Sequence, residues 1–274
     1  MSARARADIP GARRIVVKVG SSSISGENAG KLEGLVDALA AVHARGTELV
    51  LVSSGAIATG MPYLSLDERP TDLATQQAAA AVGQNVLIYR YQDNLRPYGI
   101  VAGQVLLTAG DLENATPRSN ARRAMERLLG LRILPIVNEN DTVATHEIRF
   151  GDNDRLAALV AQLIGADALV LLSDIECLYT RPPDEPGARP IDHVSFGDDL
   201  SDYEFGSGVV NSVGTGGAAT KASAARLASQ AGVGVLVTST VLVSPALDGA
   251  DVGTWFEPGP RTAGPLMTGP VHTS

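Results

Sequence analysis

A single lysine interrupts the apolar run nearest the N-terminus of this chain. Lys18 lies within IVVKV at residues 15–19, and the run opens at once into a small-residue loop, GSSS at residues 20–23. A short run rich in Val and Ile predicts a strand buried on both faces of a sheet. An unpaired ammonium group there would be costly, so Lys18 needs an anionic partner, and bound phosphate is the natural one. The alternative is an edge-strand lysine that reaches solvent.

Strand-like and helical segments alternate along the chain, which is the pattern of a parallel sheet covered on both faces. The predicted strands are residues 14–19, 48–52, 100–107, 133–137, 168–172 and 234–238. Helical spacing of apolar residues marks residues 32–42, 74–95, 156–164 and 222–231. Residues 182–190 are rich in Gly and Pro and predict a hairpin. We therefore expect an α/β fold, a three-layer αβα sandwich with a central, mostly parallel sheet.

Length and composition favour one large folding unit. The chain has 274 residues, of which 45% are hydrophobic, so it can bury a large core without disulfide bonds. We expect a flexible N-terminus over residues 1–11, a domain over residues 12–257 and a disordered Gly- and Pro-rich tail over residues 258–274. The one cysteine, Cys177, excludes an internal disulfide bond and fits a cytoplasmic location.

Charge and hydropathy argue against two classes of partner. The net charge is −8 and the chain has no basic run, which argues against binding along a nucleic-acid backbone. The longest apolar stretch, residues 157–172, is interrupted by Gln162 and Asp167 and is too polar to cross a membrane. We expect neither a nucleic-acid nor a membrane partner.

Residues suited to phosphate binding follow several predicted strands. Ligands of open α/β sheets lie beyond the carboxyl ends of the strands, where this chain places residues 20–23, 53–56, 138–142 and 173–174. A further glycine loop, residues 214–221, ends in Lys221 just before a predicted helix, whose N-terminus favours anions. Neither glycine loop has the spacing of a P-loop or a dinucleotide-binding fingerprint. Taken singly, each loop could equally be a tight turn.

The segment from Asn138 to Arg155 carries five carboxylates. A solvated acidic loop with a helix cap at Asn153 or Asp154 would explain one or two of them. Residues 142–150 could also form a small hairpin. An acidic pocket near two phosphate-binding lysines suggests a second substrate with a cationic group, such as an amino-acid ammonium. A divalent metal would then be held mainly by nucleotide phosphates rather than by protein side chains.

Two lysines can stabilise a phosphoryl group in transfer if they are held apart and aimed at it. Charge that develops on the phosphoryl oxygens is best met by fixed cations in a dry site. An aspartate between Lys18 and Lys221 could aim both, and Asp154 is the candidate. An acceptor that is already an ionised carboxylate needs no general base.

These residues resemble the amino acid kinase family, over about residues 12–256. The resemblance rests on VKVGSS at residues 17–22, VSSGAIA at 52–58, VGQ at 82–84, GQVLLT at 103–108 and IVNENDTVAT at 136–145. It continues through FGDND at 150–154, LSD at 172–174, LYT at 178–180 and the glycine loop that ends at Lys221. The NEND and GDND runs, in that order, point to the branch of the family that phosphorylates glutamate.

The resemblance implies the amino acid kinase fold and ATP-dependent phosphorylation of the γ-carboxylate of L-glutamate, the first step of proline biosynthesis, with Mg²⁺ held mainly through ATP. Lys18 and Lys221 would stabilise the phosphoryl group, and Asp154 would orient them. The residues implied to bind glutamate are Ser54, Asn138, Asp141 and Asn153. Those implied to contact ATP are Lys18, Ser173, Asp174, Thr215, Gly216, Gly217, Ala218, Ala219, Thr220 and Lys221. Relatives are homo-oligomers, dimers or tetramers, and are often inhibited by proline.

Two departures from the family pattern stand out. Many bacterial relatives continue into a C-terminal PUA domain, and this chain is expected to lack one. Relatives also carry glycine at the position of Cys177, where a left-handed backbone would strain a cysteine. Two alternatives stay open: a sibling kinase that acts on acetylglutamate or aspartate, and a relative that binds a nucleotide or small molecule without turnover.

Overall fold

A central sheet organises the computed structural model, which describes residues 3–21, 30–143, 153–201, 203, 205 and 217–261. Its long strands are β1 (Arg14–Val19), β2 (Glu48–Ser53), β3 (Ala102–Leu107), β4 (Leu134–Glu139), β5 (Ala168–Ser173) and β9 (Gly234–Ser239). Its short strands are β8 (His193–Val194) and β10 (Thr254–Phe256). A separate antiparallel pair, β6 (Leu178–Tyr179) and β7 (Pro190–Ile191), forms the predicted hairpin.

The strand order within the described residues is β3-β4-β2-β1-β5-β9-β10-β8. Neighbouring strands are parallel from β3 through β9, and only β10 runs antiparallel to β9. Strand β1 therefore lies near the middle of the sheet, with Lys18 opposite Val52 on one side and Leu171 on the other. The edge-strand alternative for Lys18 is wrong, because this lysine is buried in an interior strand.

Helices cover both faces of the sheet, which confirms the three-layer αβα sandwich. The helices are α1 (Lys31–Ala44), α2 (Ala56–Gly60), α3 (Leu73–Leu95), α4 (Ala109–Glu113), α5 (Ala115–Gly130), α6 (Asn153–Ile164), α7 (Ala218–Gln230) and α8 (Val243–Leu247). Helices α1, α3 and α8 contribute to the apolar core on one face, which includes Leu35, Tyr91 and Leu247. Helices α5, α6 and α7 contribute to the core on the other face.

The apolar pattern located every long strand of the sheet to within two residues at either end. Helices α1 and α6 end just before Gly46 and Gly165, and both glycines have the positive φ, 95° and 60°, that commonly follows the end of a helix. Helix α5 and strand β10 were not predicted. Helix α5 is amphipathic but mostly exposed, with Ala121, Met125 and Leu129 as its buried residues. Strand β10 is only three residues long, too short to give a periodic signal.

Both ends of the described chain are tied to the sheet. Within the segment expected to be a flexible N-terminus, Arg6–Gly11 forms a 3-10 helix in which Ile9 is fully buried. The start of the expected disordered tail is also anchored: the Arg261 guanidinium donates to the Asp167 carboxylate at 2.8 Å. The rest of that tail, residues 262–274, lies outside the described residues. None of the described helices is long and apolar enough to cross a membrane.

Helices α2 and α3 meet at two glycines. A Cβ atom on Gly83 would lie 1.8 Å from the Ala56 carbonyl oxygen, and one on Gly60 would lie 1.9 Å from the Ala79 carbonyl oxygen. These nearby atoms belong to the backbone, so rotating a side chain could not relieve the clash. The two helix backbones are therefore in direct contact, and α2 holds the loop after β2 against α3.

We expect Gly83→Ala to lower the free energy of unfolding by at least about 2 kcal/mol, because the added methyl group forces two backbones apart. The matched control is Gly34→Ala in α1, where a Cβ would meet no atom within 4 Å. Alanine is the better helix former, so this control should be stabilising by about 0.5–1 kcal/mol. Urea unfolding followed by circular dichroism measures both, and equal effects would contradict the backbone contact.

Candidate active site

The polar residues predicted to be functional gather at the carboxyl edge of the sheet. Lys18 is the penultimate residue of β1, and Asn138 and Ser173 lie at or near the ends of β4 and β5. Because these strands are parallel, their ends meet at one edge. Two helices, α6 and α7, begin beside the same edge and bring Asp154 and Lys221 toward β1. The predicted convergence of the strand-end loops is confirmed for the described part of the chain.

One carboxylate bridges the two lysines. The Lys18 Nζ atom lies 2.7 Å from Asp154 Oδ1, and the Lys221 Nζ atom lies 3.3 Å from Asp154 Oδ2. All three residues are buried: Asp154 is 1% exposed, Lys18 4% and Lys221 5%. The Thr220 hydroxyl oxygen also lies 3.3 Å from Asp154 Oδ2. Asp154 therefore holds the two lysine ammonium groups on separate oxygens of its carboxylate. This is the arrangement expected of a residue that orients both lysines.

The charge balance of this cluster is uneven. Burial alone would raise the pKa of Asp154, but the ammonium groups of Lys18 and Lys221 outweigh it and hold the pKa below its ordinary value. Burial lowers the pKa of Lys221, and the nearby Lys18 charge lowers it further, although Asp154 opposes both effects. Two ammonium groups contact one buried carboxylate here, and the exposed Asp174 adds a weaker attraction to Lys221. A buried cluster with two cations to one anion suits a phosphate site.

A second cluster, of amide and hydroxyl groups, adjoins the lysines. Asn153 directly precedes Asp154, and its amide Nδ2 donates to Ser54 Oγ at 2.9 Å and to Asn138 Oδ1 at 3.2 Å. The Asn138 Nδ2 and Asn153 Oδ1 atoms are buried and have no hydrogen-bond partner among the described residues. Buried polar atoms are nearly always paired, so these two are candidates to bind a polar ligand.

Asp141 adds a carboxylate beside this amide cluster. It is 8% exposed, and burial, with help from the charge of Glu139, raises its pKa to about 7 despite the opposing charge of Arg69. A cationic ligand beside Asp141 would lower this raised pKa and favour the ionised carboxylate. The alternative of a solvated acidic loop is wrong for Glu139, Asp141 and Asp154, because all three are buried.

The predicted nucleotide residues lie on the other side of the lysines. Ser173 and Asp174 follow β5, where the Ser173 hydroxyl donates to Asp174 Oδ1 at 3.0 Å and Asp174 is exposed. Gly217, Ala218, Ala219 and Thr220 form the start of α7, a 13-residue helix. Of these, Thr220 donates to the Gly217 carbonyl oxygen at 2.8 Å. Thr215 and Gly216, and most of the predicted hairpin at residues 142–150, lie outside the described residues.

The described residues contain no group of three or more His, Cys, Asp or Glu side chains placed to hold a metal ion. The backbone strain considered for Cys177 is not present. The non-glycine residues with positive φ in the described chain are Ser65 and Arg132, so Cys177 has an ordinary backbone conformation.

Two buried polar side chains near the site were not given a role from sequence. Gln84 donates from Nε2 to the Glu139 carbonyl oxygen at 3.3 Å, and Tyr91 makes a hydrogen bond to Ser53. Gln84 lies on the buried stripe of α3, three and seven residues before Leu87 and Tyr91. A glutamine within an apolar helical stripe can be noticed in the sequence, because a buried polar side chain needs hydrogen-bond partners. Tyr91 gave no such signal, because an aromatic residue at helical spacing is typical of a core.

The sheet, its two helical layers and the paired lysines define a family. The model of the Amino acid kinase family matches residues 13–239, so this chain belongs to the amino acid kinase family.

Curated relatives are similar over nearly the whole chain. A protein from Clavibacter sepedonicus named Glutamate 5-kinase is 72% identical, and the match covers 94% of this chain and 99% of that protein. A Glutamate 5-kinase from Leifsonia xyli subsp. xyli is 71% identical over 94% of this chain. A longer one from Salinispora arenicola is 53% identical, and the match covers 92% of this chain but 70% of that protein.

A solved structure confirms the fold at low sequence identity. It is described as carbamate kinase from Giardia lamblia bound to AMP-PNP. The two structures superpose with a TM-score of 0.65 over 91% of this chain and 100% of the other, at 16% identity. At that identity the likeness concerns the fold alone.

The two-to-one ratio of lysines to carboxylate in this cluster predicts unequal effects on stability for two substitutions. We expect Asp154→Asn to lower the free energy of unfolding by about 3–5 kcal/mol, because it removes the buried carboxylate that both ammonium groups contact. Lys221→Met leaves a one-to-one pair of Lys18 and Asp154, so its stability should stay within about 1 kcal/mol of the unsubstituted protein, or exceed it. Denaturant unfolding at neutral pH compares the two. Equal losses of stability in the two variants would mean that the charges of the cluster are already balanced without a ligand.

Proposed function

We propose that this chain catalyses the ATP-dependent phosphorylation of the γ-carboxylate of L-glutamate to give L-glutamyl 5-phosphate, the first step of proline biosynthesis. The observation that carries the proposal is the buried bridge from Lys18 through Asp154 to Lys221, at the edge of the sheet where ligands of such folds bind. Relatives that bear the name Glutamate 5-kinase, at 72% identity over 94% of the chain, support the choice of acceptor.

The two lysines suit the phosphoryl donor. Their ammonium groups would face the oxygens of the γ-phosphate and stabilise the charge that spreads over them during transfer. The start of α7 at Gly217 offers backbone N–H groups and the positive end of the helix dipole to the nucleotide phosphates. Magnesium, when carried by ATP, would neutralise further phosphate charge.

The amide cluster suits the acceptor. Glutamate presents a carboxylate to the phosphoryl group and an ammonium group to the protein. Asp141 would pair with the ammonium, and the unpartnered Asn138 Nδ2 and Asn153 Oδ1 atoms would bond polar groups of the substrate. Ser54 joins this cluster through Asn153. An acetylated amino group would bring no charge to Asp141, which favours glutamate over acetylglutamate.

The transfer itself needs no proton acceptor. An oxygen of the γ-carboxylate attacks the γ-phosphorus, and a new phosphorus–oxygen bond forms. The bond between the γ-phosphorus and the bridging oxygen breaks, and ADP leaves with that electron pair. Asp154 touches neither partner in this scheme; it keeps both lysine ammonium groups at the place where charge develops.

Assembly, regulation and location follow from the family resemblance. We propose that the protein works in the cytoplasm as a homo-oligomer, a dimer or a tetramer, and that proline inhibits it. The net charge of −8 argues against a nucleic-acid partner.

The deciding experiment is turnover with Mg-ATP and a panel of acceptors. We expect ADP release with glutamate, and glutamyl hydroxamate when hydroxylamine is present, because an acyl phosphate reacts with this nucleophile. Aspartate, acetylglutamate and UMP should release little ADP. Lys221→Met is the matched control, since it should fold and yet lack one of the two cations that stabilise the transition state.

Each of the other results would change the proposal. Hydroxamate from aspartate or acetylglutamate in preference to glutamate would assign a sibling kinase. Nucleotide binding without ADP release under any condition would indicate a storage or sensing protein. Full activity of Lys221→Met would remove the role given to the lysine pair.

The raised pKa of Asp141 predicts a pH dependence for glutamate. Its pKa of about 7 in the free protein means that below this pH the carboxyl is largely protonated and must lose a proton before it can pair with an ammonium group. The KM for glutamate should therefore rise on acidification, approaching about tenfold per pH unit well below pH 7, and level off above it. Initial rates at several pH values measure this. In Asp141→Asn the KM should be high, and this dependence should vanish.

A further inference from the structure

Tyr91 is a buried tyrosine whose hydroxyl group lies against the end of β2. Its side chain is fully buried on α3, and the phenol oxygen lies 2.9 Å from Ser53 Oγ. Ser53 is itself fully buried and is the last residue of β2, directly before Ser54. Burying a hydroxyl group is unfavourable unless it forms a hydrogen bond. The pair is therefore a specific contact between α3 and the end of β2, where Ser54 follows.

Ser53 also reaches the next residue of the chain. Its Oγ atom lies 3.3 Å from the Ser54 carbonyl oxygen, to which a hydroxyl hydrogen can donate. In the bond between Tyr91 and Ser53 either hydroxyl can be the donor. Burial raises the pKa of Tyr91 well above its ordinary value, so the phenol keeps its hydrogen at any working pH. The pair therefore links Tyr91 through Ser53 to the backbone of Ser54.

The side chain of Ser54 extends this link to the amide cluster. Ser54 Oγ accepts from Asn153 Nδ2 at 2.9 Å, and Asn153 also donates to Asn138 Oδ1 at 3.2 Å. Asn138 Oδ1 in turn accepts from the Glu139 backbone N–H at 2.9 Å. The chain links α3, the end of β2, the first turn of α6 and the end of β4. Those last three elements carry the groups to which the proposed function assigns glutamate.

We infer that Tyr91 is a positioning residue for the amino-acid substrate: its hydroxyl, acting through Ser53, sets the orientation of Ser54 and of the amide cluster bonded to it. This inference rests on the proposed function for the identity of the substrate. Tyr91 itself touches no reacting group. Its effect should fall on glutamate and not on ATP, because the hydrogen-bond chain reaches the amide cluster and includes none of the residues predicted to contact ATP.

Tyr91→Phe tests the inference, because it removes one oxygen and keeps the buried ring. We expect the KM for glutamate to rise about five- to twentyfold, the range for a buried hydroxyl left without its partner. The KM for ATP should stay within about twofold, and kcat at saturating glutamate should fall by less than about threefold. A merely structural tyrosine would lower the melting temperature or the active fraction and leave the KM for glutamate unchanged.

The partner residue makes the test specific. Ser53→Ala breaks the same link from its other end, so it should raise the KM for glutamate in the same way, and the double variant with Tyr91→Phe should be no worse than the poorer single variant. Ser53→Thr keeps a hydroxyl and should restore most of the affinity. Tyr89→Phe, on an exposed side chain of the same helix, is the control and should leave every parameter unchanged.

A glutamate-specific rise in KM that is not additive between Tyr91→Phe and Ser53→Ala supports the inference. An unchanged KM for glutamate, an equal rise in the KM for ATP, or additive effects would overturn it. If Tyr91→Phe does not fold, the comparison of Ser53→Ala with Ser53→Thr tests the same link through its other partner. Absence of glutamate turnover in the unsubstituted protein counts against the proposed function instead, since every expectation here is a ratio to that protein.

Discussion

Two buried ammonium groups share one carboxylate, and the rest of the site is arranged around that imbalance. Lys18 comes from the middle of the sheet, Lys221 from the start of α7 and Asp154 from the start of α6. Each element is held by its own apolar core contacts, so the charges are placed by the fold rather than by their mutual attraction. The folding energy of a large apolar core sustains a cluster that would be unfavourable by itself and becomes balanced when an anion arrives.

Beside this positive cluster lies a neutral and acidic one, and the two have complementary tasks. The lysines suit phosphate oxygens, whereas Asp141 and the asparagine amides suit an amino acid. A substrate with its own phosphate would meet the carboxylates of the second cluster unfavourably. With this charge arrangement, one edge of the sheet would suit an anion and a cationic group bound side by side.

Most of the fold and the core of the site were predictable from sequence. The long strands follow from runs of Val, Leu and Ile. Because burying an unpaired ammonium group is unfavourable, a lysine inside such a run marks Lys18 as a candidate site residue. The pairing of Lys18 and Lys221 on Asp154 was expected, but its geometry needed three elements far apart in the chain. Tyr91 could not be assigned from sequence, because its hydroxyl matters only through a contact with Ser53 that periodicity does not reveal. Helix α5 and strand β10 lacked a pattern strong or long enough to read.

The position of β10 bears on the order in which the protein can form during synthesis. Within the described chain, β10 is the last strand of the sheet in sequence. It lies between β9 and β8, and β8 joins the sheet by pairing with it. Strand β8, made some sixty residues earlier, therefore has no place in the sheet until residues 254–256 have left the ribosome. The strands from β3 to β9 can pair before then, so closing that side of the sheet is a late step of sheet assembly.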